Sequence, residues 1–322
     1  MEEPGEELLQ FVVGPEEDGL NLAGLLRSRY GMSRGMIRRL KREPCVFADG
    51  VAVPMRHRLR TGERIVVRVP SGLESSVVPE PVPLRVLFED RDILVLDKPA
   101  GVLVHPARSE QSGTLANGVA YHLVTRGEPN AAGPVTRLDR DTSGLVLFAK
   151  HPHAHHCLSR GLAAGTLGRR YIAVVHGHLA HDSGAIDLPI ARLNERSSVR
   201  VVAPGGQRAL THFRVVARIG PTPSLPQGAT LVELSLETGR THQIRVHLAH
   251  LGHPLVGDRL YGRAVLGDEE LLLRQALHAY RLELCHPANG ERLRFLSPPP
   301  DDLRKLVGLF GEAASGLWDV PP

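Results

Sequence analysis

The chain has 322 residues, 42% hydrophobic and 23% charged, with a net charge of +4; this length suits one small and one large unit, each able to bury a core. No apolar run approaches the roughly eighteen residues of a membrane span, and a soluble protein is expected. The three cysteines, Cys45, Cys157 and Cys285, form no C-x-x-C pair, which argues against a disulfide framework or a cysteine zinc site.

The acidic start from Met1 to Glu7 is unlike the basic then apolar opening of a secretory signal, so a cytoplasmic protein is expected. Residues 1–17 read as an acidic lead-in whose Leu8-Leu9 and Phe11-Val12-Val13 patch suits an edge strand. Leu22, Leu25 and Leu26 fall at helical spacing between Asn21 and Arg29, and Ser33 is a good N-cap for a second helix through Leu40. Val46-Phe47, a turn at Asp49-Gly50, Val51 to Val53, and Ile65-Val66-Val67 after Thr61-Gly62-Glu63 then read as short strands. Between residues 20 and 70, twelve Arg or Lys residues face only Glu43, Asp49 and Glu63. That excess is the footprint of a polyanion partner, although charge runs also occur simply to solvate a helix face. Residues 71–83, with Pro79, Pro81 and Pro83 among serines, read as a semi-extended linker. This gives an N-terminal unit over 1–70 and a second over 84–322.

In the second unit strand-like runs recur at residues 86–88, 93–96, 145–148, 171–175, 213–216 and 231–236, while helices are expected only at about 152–162, 241–251 and 301–310. Many strands with few helices predict an α+β fold around a large, mainly antiparallel mixed sheet with a central cleft. Thr136-Arg137-Leu138-Asp139-Arg140-Asp141-Thr142-Ser143-Gly144 places acids and bases on a loop ahead of the strand Leu145 to Phe148. Loops held by a rigid sheet commonly carry catalytic groups; a surface turn with weak local ion pairs is the alternative. Four further segments accompany it: Asp97-Lys98-Pro99-Ala100-Gly101, Arg169-Arg170-Tyr171 leading into a strand, Thr238-Gly239-Arg240-Thr241-His242-Gln243-Ile244-Arg245, and Gly252-His253-Pro254-Leu255-Val256-Gly257-Asp258 followed by Tyr261-Gly262. No Gly-rich phosphate loop and no H-E-x-x-H spacing occurs. The groups His151, His153, His155, His156 beside Cys157, and His242, His247, His250, His253, therefore do not read as metal sites, and no metal, nucleotide or other cofactor is expected.

Taken in order from Val86 to Pro300, and with Leu277-His278-Ala279 near the end, these segments closely resemble the RluA-type pseudouridine synthases. The basic N-terminal unit resembles the RNA-binding module named after ribosomal protein S-four. The resemblance implies isomerisation of uridine in a structured RNA, most often large-subunit ribosomal RNA. A transfer RNA enzyme of the same family, or a non-catalytic RNA-binding or ribosome-assembly protein, is the alternative. It implies Asp139 as the catalytic carboxylate, Arg245 as its cationic partner, Tyr171 packing against the target base, Arg137 helping to extrude the nucleotide, and Leu138 and Ile244 as apolar walls. Ser33, Arg34, Arg38, Arg39 and Lys41 are the matching RNA-binding positions. RNA is the expected partner, with no membrane association, and a monomer is expected. Thr136 stands where the family usually has histidine, which bears on local packing or RNA contacts. The reaction moves the ribose from N1 to C5 of the same base without loss of atoms or redox change, so no helper molecule is needed. Asp139 can act as a nucleophile on ribose or base, or as a base opening a glycal route; the residues alone do not choose.

Overall fold

The computed structural model describes residues 7–30, 32, 34–41, 44–68, 75–107, 110–195, 197–262 and 271–311. Among them no helix is long and apolar enough to cross a membrane.

The first unit comprises β1 (Glu7–Val12), α1 (Leu22–Ser28), α2 (Arg34–Leu40), β2 (Val46–Ala48), β3 (Val51–Ala52) and β4 (Arg64–Arg68), the strands forming an antiparallel sheet in the order β1-β4-β2-β3. The Asn21 side chain accepts the Gly24 amide at 3.2 Å and caps α1, which satisfies one of the helix's orphan donors. The i, i+3, i+4 spacing turns Leu22, Leu25 and Leu26 onto one face. There they share a core with Met36, Ile37 and Leu40 of α2 and the inward-pointing Val46, Ile65 and Val67. The expected edge strand is β1, at one end of the sheet. Ser33 lies outside the described residues.

The second unit begins earlier than the sequence suggests. Of the expected linker, residues 71–74 lie outside the described residues, whereas the segment from Ser75 to Pro83 is held against the large unit. Asn130 Nδ2 donates to the Val77 carbonyl at 3.0 Å, Asn117 Nδ2 donates to that of Val78 at 2.9 Å, and Glu80 accepts the Gly113 amide at 2.7 Å. Val77 is buried in the same cluster as Leu94, Leu115 and Phe148. This segment is a strap, not a linker: its prolines keep it extended, and its carbonyls are taken up by asparagine side chains instead of a neighbouring strand.

The large unit continues with β5 (Val86–Glu89), β6 (Ile93–Lys98), α3 (Leu115–Thr125), β7 (Gly133–Pro134), β8 (Ser143–Ala149), α4 (Pro152–Ala163), β9 (Gly168–His176), β10 (Ser183–Asp187), β11 (Ile190–Arg192), β12 (Arg200–Val202), β13 (Leu210–Ile219), β14 (Ala229–Leu236), α5 (Gln243–His250), β15 (Leu277–Cys285), β16 (Arg292–Leu296) and α6 (Asp301–Gly308). One sheet runs β10-β13-β14-β9-β15-β8-β6-β5, with β16 added to β15 and β7 to β8. Among the described residues its one parallel pairing is β15 with β8, through His278–Ser143 and Ala279–Gly144. The expected antiparallel mixed sheet is present. Central β6, β8 and β9 are buried almost throughout, as strands covered on both faces must be. At the parallel junction Gly144 has φ +110°, and a Cβ there would lie 2.2 Å from the Ala279 carbonyl oxygen. Only glycine allows β8 to begin this close to β15.

Candidate active site

Just ahead of Gly144, the loop 136–142 is fixed at almost every residue. Thr136 faces inward, and its hydroxyl accepts the Leu147 amide at 3.0 Å, so the residue that departs from the usual histidine serves local backbone pairing. The fully buried Lys98 donates from Nζ to the carbonyls of Pro99, Val102 and Arg140 at 2.8, 2.7 and 2.6 Å. Burial pushes its pKa down to about 7 against the pull of Asp141 and Asp139. Three acceptors at these distances match the three donors of an ammonium group, and a neutral amine has one too few. Arg274, paired with Asp302 of α6, donates to the Asp141 carbonyl at 3.2 Å. These contacts leave Asp139 projecting from a rigid loop.

Opposite lies the start of α5. Gln243 Oε1 accepts the Thr238 hydroxyl at 2.8 Å and the Arg240 amide at 3.0 Å, which closes the turn. Residues 243–248 are all buried, so each polar side chain among them requires a partner. Arg245 finds two. Its Nε and Nη2 donate to both oxygens of the fully buried Asp258 at 2.7 and 2.8 Å, and its Nη1 donates to Asp139 Oδ2 at 3.1 Å. Burial works against the guanidinium's charge, but Asp258 and then Asp139 outweigh it and raise the pKa further above the ordinary arginine value. The Arg245 guanidinium lies over the Tyr261 ring, 5.1 Å from its centroid.

Asp139, Arg245, Tyr171, Arg137, Leu138 and Ile244, all singled out from the sequence, line one pocket together with Thr142, Leu236, Arg240, His242, Gln243 and Leu277. Tyr171 and Ile244 are buried, Asp139 is partly exposed, and Arg137 and Arg240 are exposed. Burial raises the Tyr171 pKa, so its hydroxyl stays protonated. Asp258, His242, Tyr261 and the pinning role of Lys98 were not read from the sequence. Asp258 stood inside a quoted motif, but nothing in its spacing discloses a pairing across thirteen residues and a loop. In the small unit Arg38 and Lys41 are exposed on and just after α2; the side chains of Arg34 and Arg39 lie outside the description.

The histidine groups disperse to separate tasks. His247 bonds Thr211 and the Leu188 carbonyl, and His253 bonds the His176 carbonyl. Among the described residues Asp90, Asp92 and His286 come close enough to share an ion. However, His286 Nδ1 accepts the Ala288 amide at 3.3 Å, so its proton sits on Nε2 and points at Asp90, 2.8 Å away. His151 repeats the pattern, accepting the Ala154 amide and facing Asp92. A ligating Nε2 needs the proton on Nδ1, so these pairs are poorly disposed to bind a metal.

A family model described as RNA pseudouridylate synthase matches residues 92–250. The chain is 41% identical over 302 residues to the uncharacterized RNA pseudouridine synthase YhcT of Bacillus subtilis, covering 94% of this chain and 97% of that one. It is 40% identical over 281 residues to ribosomal large subunit pseudouridine synthase D of Nitrosomonas europaea, covering 85% and 79%. The solved structure of human RNA pseudouridylate synthase domain containing 1 superposes with a TM-score of 0.54 at 26% identity, covering 72% of this chain and 86% of that one. With close kinship over nearly the whole length and the sheet, loop and pocket arranged as described, the chain belongs to the RluA-type RNA pseudouridine synthases, enzymes that convert uridine in RNA to pseudouridine.

Proposed function

We propose that Asp139 is the carboxylate that carries out this isomerisation, with Arg245 paired to it, and that the substrate is large-subunit ribosomal RNA. One observation supports the first part above all others: the Asp139 carboxylate faces a pocket while a guanidinium clamped by a second, buried carboxylate holds it at 3.1 Å. A charged carboxylate beside apolar Leu138, Tyr171 and Ile244 is unfavourable without such a cation. Attack on the sugar or base and a glycal route are both open to it.

Uridine in structured RNA is stacked, so the nucleotide must be extruded, at a cost of a few kcal/mol. Exposed Arg137 fills the vacated position, and the Tyr171 ring packs against the extruded base. The free space in the pocket is about 50 Å³, room for one or two waters, and the exposed Arg137 and Arg240 are among its lining residues. The ribosomal substrate rests on relatives named for the large ribosomal subunit. The first unit acts as an S-four-like RNA-binding module: exposed Arg38, Lys41 and Arg56 surround its core, and Lys41 and Arg56 border a groove of about 570 Å³. That groove is larger than the pocket at Asp139, but it contains no acid–base constellation, so it is read as a contact surface.

The decisive experiment uses RNA tritiated at C5 of uridine, because forming the C1′–C5 bond releases that hydrogen. Asp139→Asn is expected to abolish release, by at least about 10⁴-fold for loss of the reacting group. Release by this variant at the normal rate would end the proposal.

A further inference from the structure

We propose that His242 holds the extruded uridine through a hydrogen bond from its Nε2–H to a carbonyl oxygen of uracil, and that Tyr261 fixes the imidazole in the tautomer this requires. The inference rests on the assignment of the pocket around Asp139 as the active site, and it adds a contact to the base.

The Tyr261 hydroxyl oxygen accepts the backbone amide of Arg200 at 2.9 Å and lies 2.9 Å from His242 Nδ1. A phenol that already accepts an amide proton still has its own proton to place, and Nδ1 is the acceptor beside it. Nδ1 therefore carries the lone pair, and the single proton of the neutral ring is on Nε2. The two rings meet edge to face, 5.7 Å apart at 78°, so Tyr261 steadies both His242 and Arg245. Burial lowers the His242 pKa; Arg245 and Arg200 act in the same direction against Asp139 and Asp258, which favours the neutral ring.

The side-chain donors that the start of α5 turns toward the pocket are engaged within the protein. Arg245 uses Nε, Nη1 and Nη2 on the two aspartates, and Gln243 Nε2 is bonded to the Leu210 carbonyl and the Thr211 hydroxyl. Nε2 of His242 has no hydrogen-bond partner among the described residues. A uracil ring seated among apolar walls brings two carbonyl acceptors that must be satisfied. The backbone gives an independent indication. His242 has φ +58°, and among the described residues the other non-glycine in this region is Asp49. A left-handed histidine at the N-cap of a buried helix is strain of the kind retained where side-chain placement matters.

Long-range ¹⁵N NMR of the full-length protein should show the His242 proton on Nε2, and a mixture of tautomers in Tyr261→Phe, which keeps the ring over Arg245. His242→Asn, a residue that tolerates the left-handed backbone, should slow single-turnover isomerisation about 10- to 100-fold while changing RNA affinity by no more than about twofold. Substrates with 2-thio- or 4-thiouridine at the target, whose sulfur is a poor acceptor, should slow the wild type but add nothing to His242→Asn at the contacted position. A proton on Nδ1, a wild-type rate in His242→Asn, or equal losses of rate and affinity would overturn the proposal. Absence of Asp139-dependent isomerisation in the wild type would instead remove the assignment beneath it.

Discussion

Asp258 is fully buried, and each of its oxygens is occupied: Arg245 takes both, and the amides of Leu260 and Tyr261 donate to Oδ1 at 3.0 and 3.1 Å. Neutralising one member of such a pair strands the other in a poorly solvated place, which costs more than the intact pair contributes. Asp258→Asn preserves shape but presents an amide to guanidinium donors. It should destabilise the protein by roughly 3 kcal/mol and, by freeing Arg245, slow isomerisation about 10- to 100-fold with RNA affinity unchanged. Urea unfolding and single-turnover assays report the two effects separately, and a folded variant with an unaltered rate would show that Arg245 needs no anchor. The pocket-lining residues singled out from the sequence were legible because their motif is dense and sits at strand and helix starts. Asp258, Tyr261 and His242 were not, since they act through pairings that only the closed turn after α5 creates.

Elements were legible where apolar runs are continuous, as in β6, β8 and β9, and less so where polar residues interrupt them. The helix α3 went unread because Asn117 and Gly118 break its apolar pattern; both are there for the strap. Asn117 holds the Val78 carbonyl, and a Cβ on Gly118 would meet the Val82 carbonyl oxygen at 2.8 Å. The junction of β8 and β15 gives a pH dependence. His278 is fully buried, donates from Nε2 to the Ser297 carbonyl and accepts the Ser143 hydroxyl at Nδ1, and burial pushes its pKa down from 6.5 to about 4. Between those values the unfolded chain binds a proton that the folded one refuses. The stability from this residue is complete above pH 6.5 and declines as pH falls toward 4, by at most about 1.4 kcal/mol per pH unit. Buried His153, also pushed down to about 4, acts in the same sense. The urea midpoint should therefore drop between pH 7 and 4.5, and His278→Gln should flatten that slope; an identical slope in the variant would exclude His278 as its source.

At the scale of the molecule, the basic excess and the pocket fall in different parts of the chain. The basic excess lies before residue 70 and the pocket lies beyond residue 136, so affinity through phosphates and turnover at Asp139 should separate on truncation. The place of the cut decides what is tested. Removing residues 1–74 spares the strap, whereas removing 1–83 also strips Val77 from its cluster and leaves Asn117 and Asn130 without the carbonyls they hold. The shorter deletion should keep the melting temperature of the catalytic unit, weaken RNA binding, and flatten its dependence on salt, because fewer counterions are released when fewer phosphates are contacted. With saturating RNA its single-turnover rate should match that of the full chain. The longer deletion should lose stability as well, since an apolar face is uncovered and the side-chain amides of Asn117 and Asn130 lose their partners. Binding measured across a salt series, beside thermal melts of both truncations, checks this division. If the 1–74 deletion binds RNA with the full chain's affinity and salt slope, the basic unit contacts no phosphate, and recognition must then come from the arginines around the pocket itself.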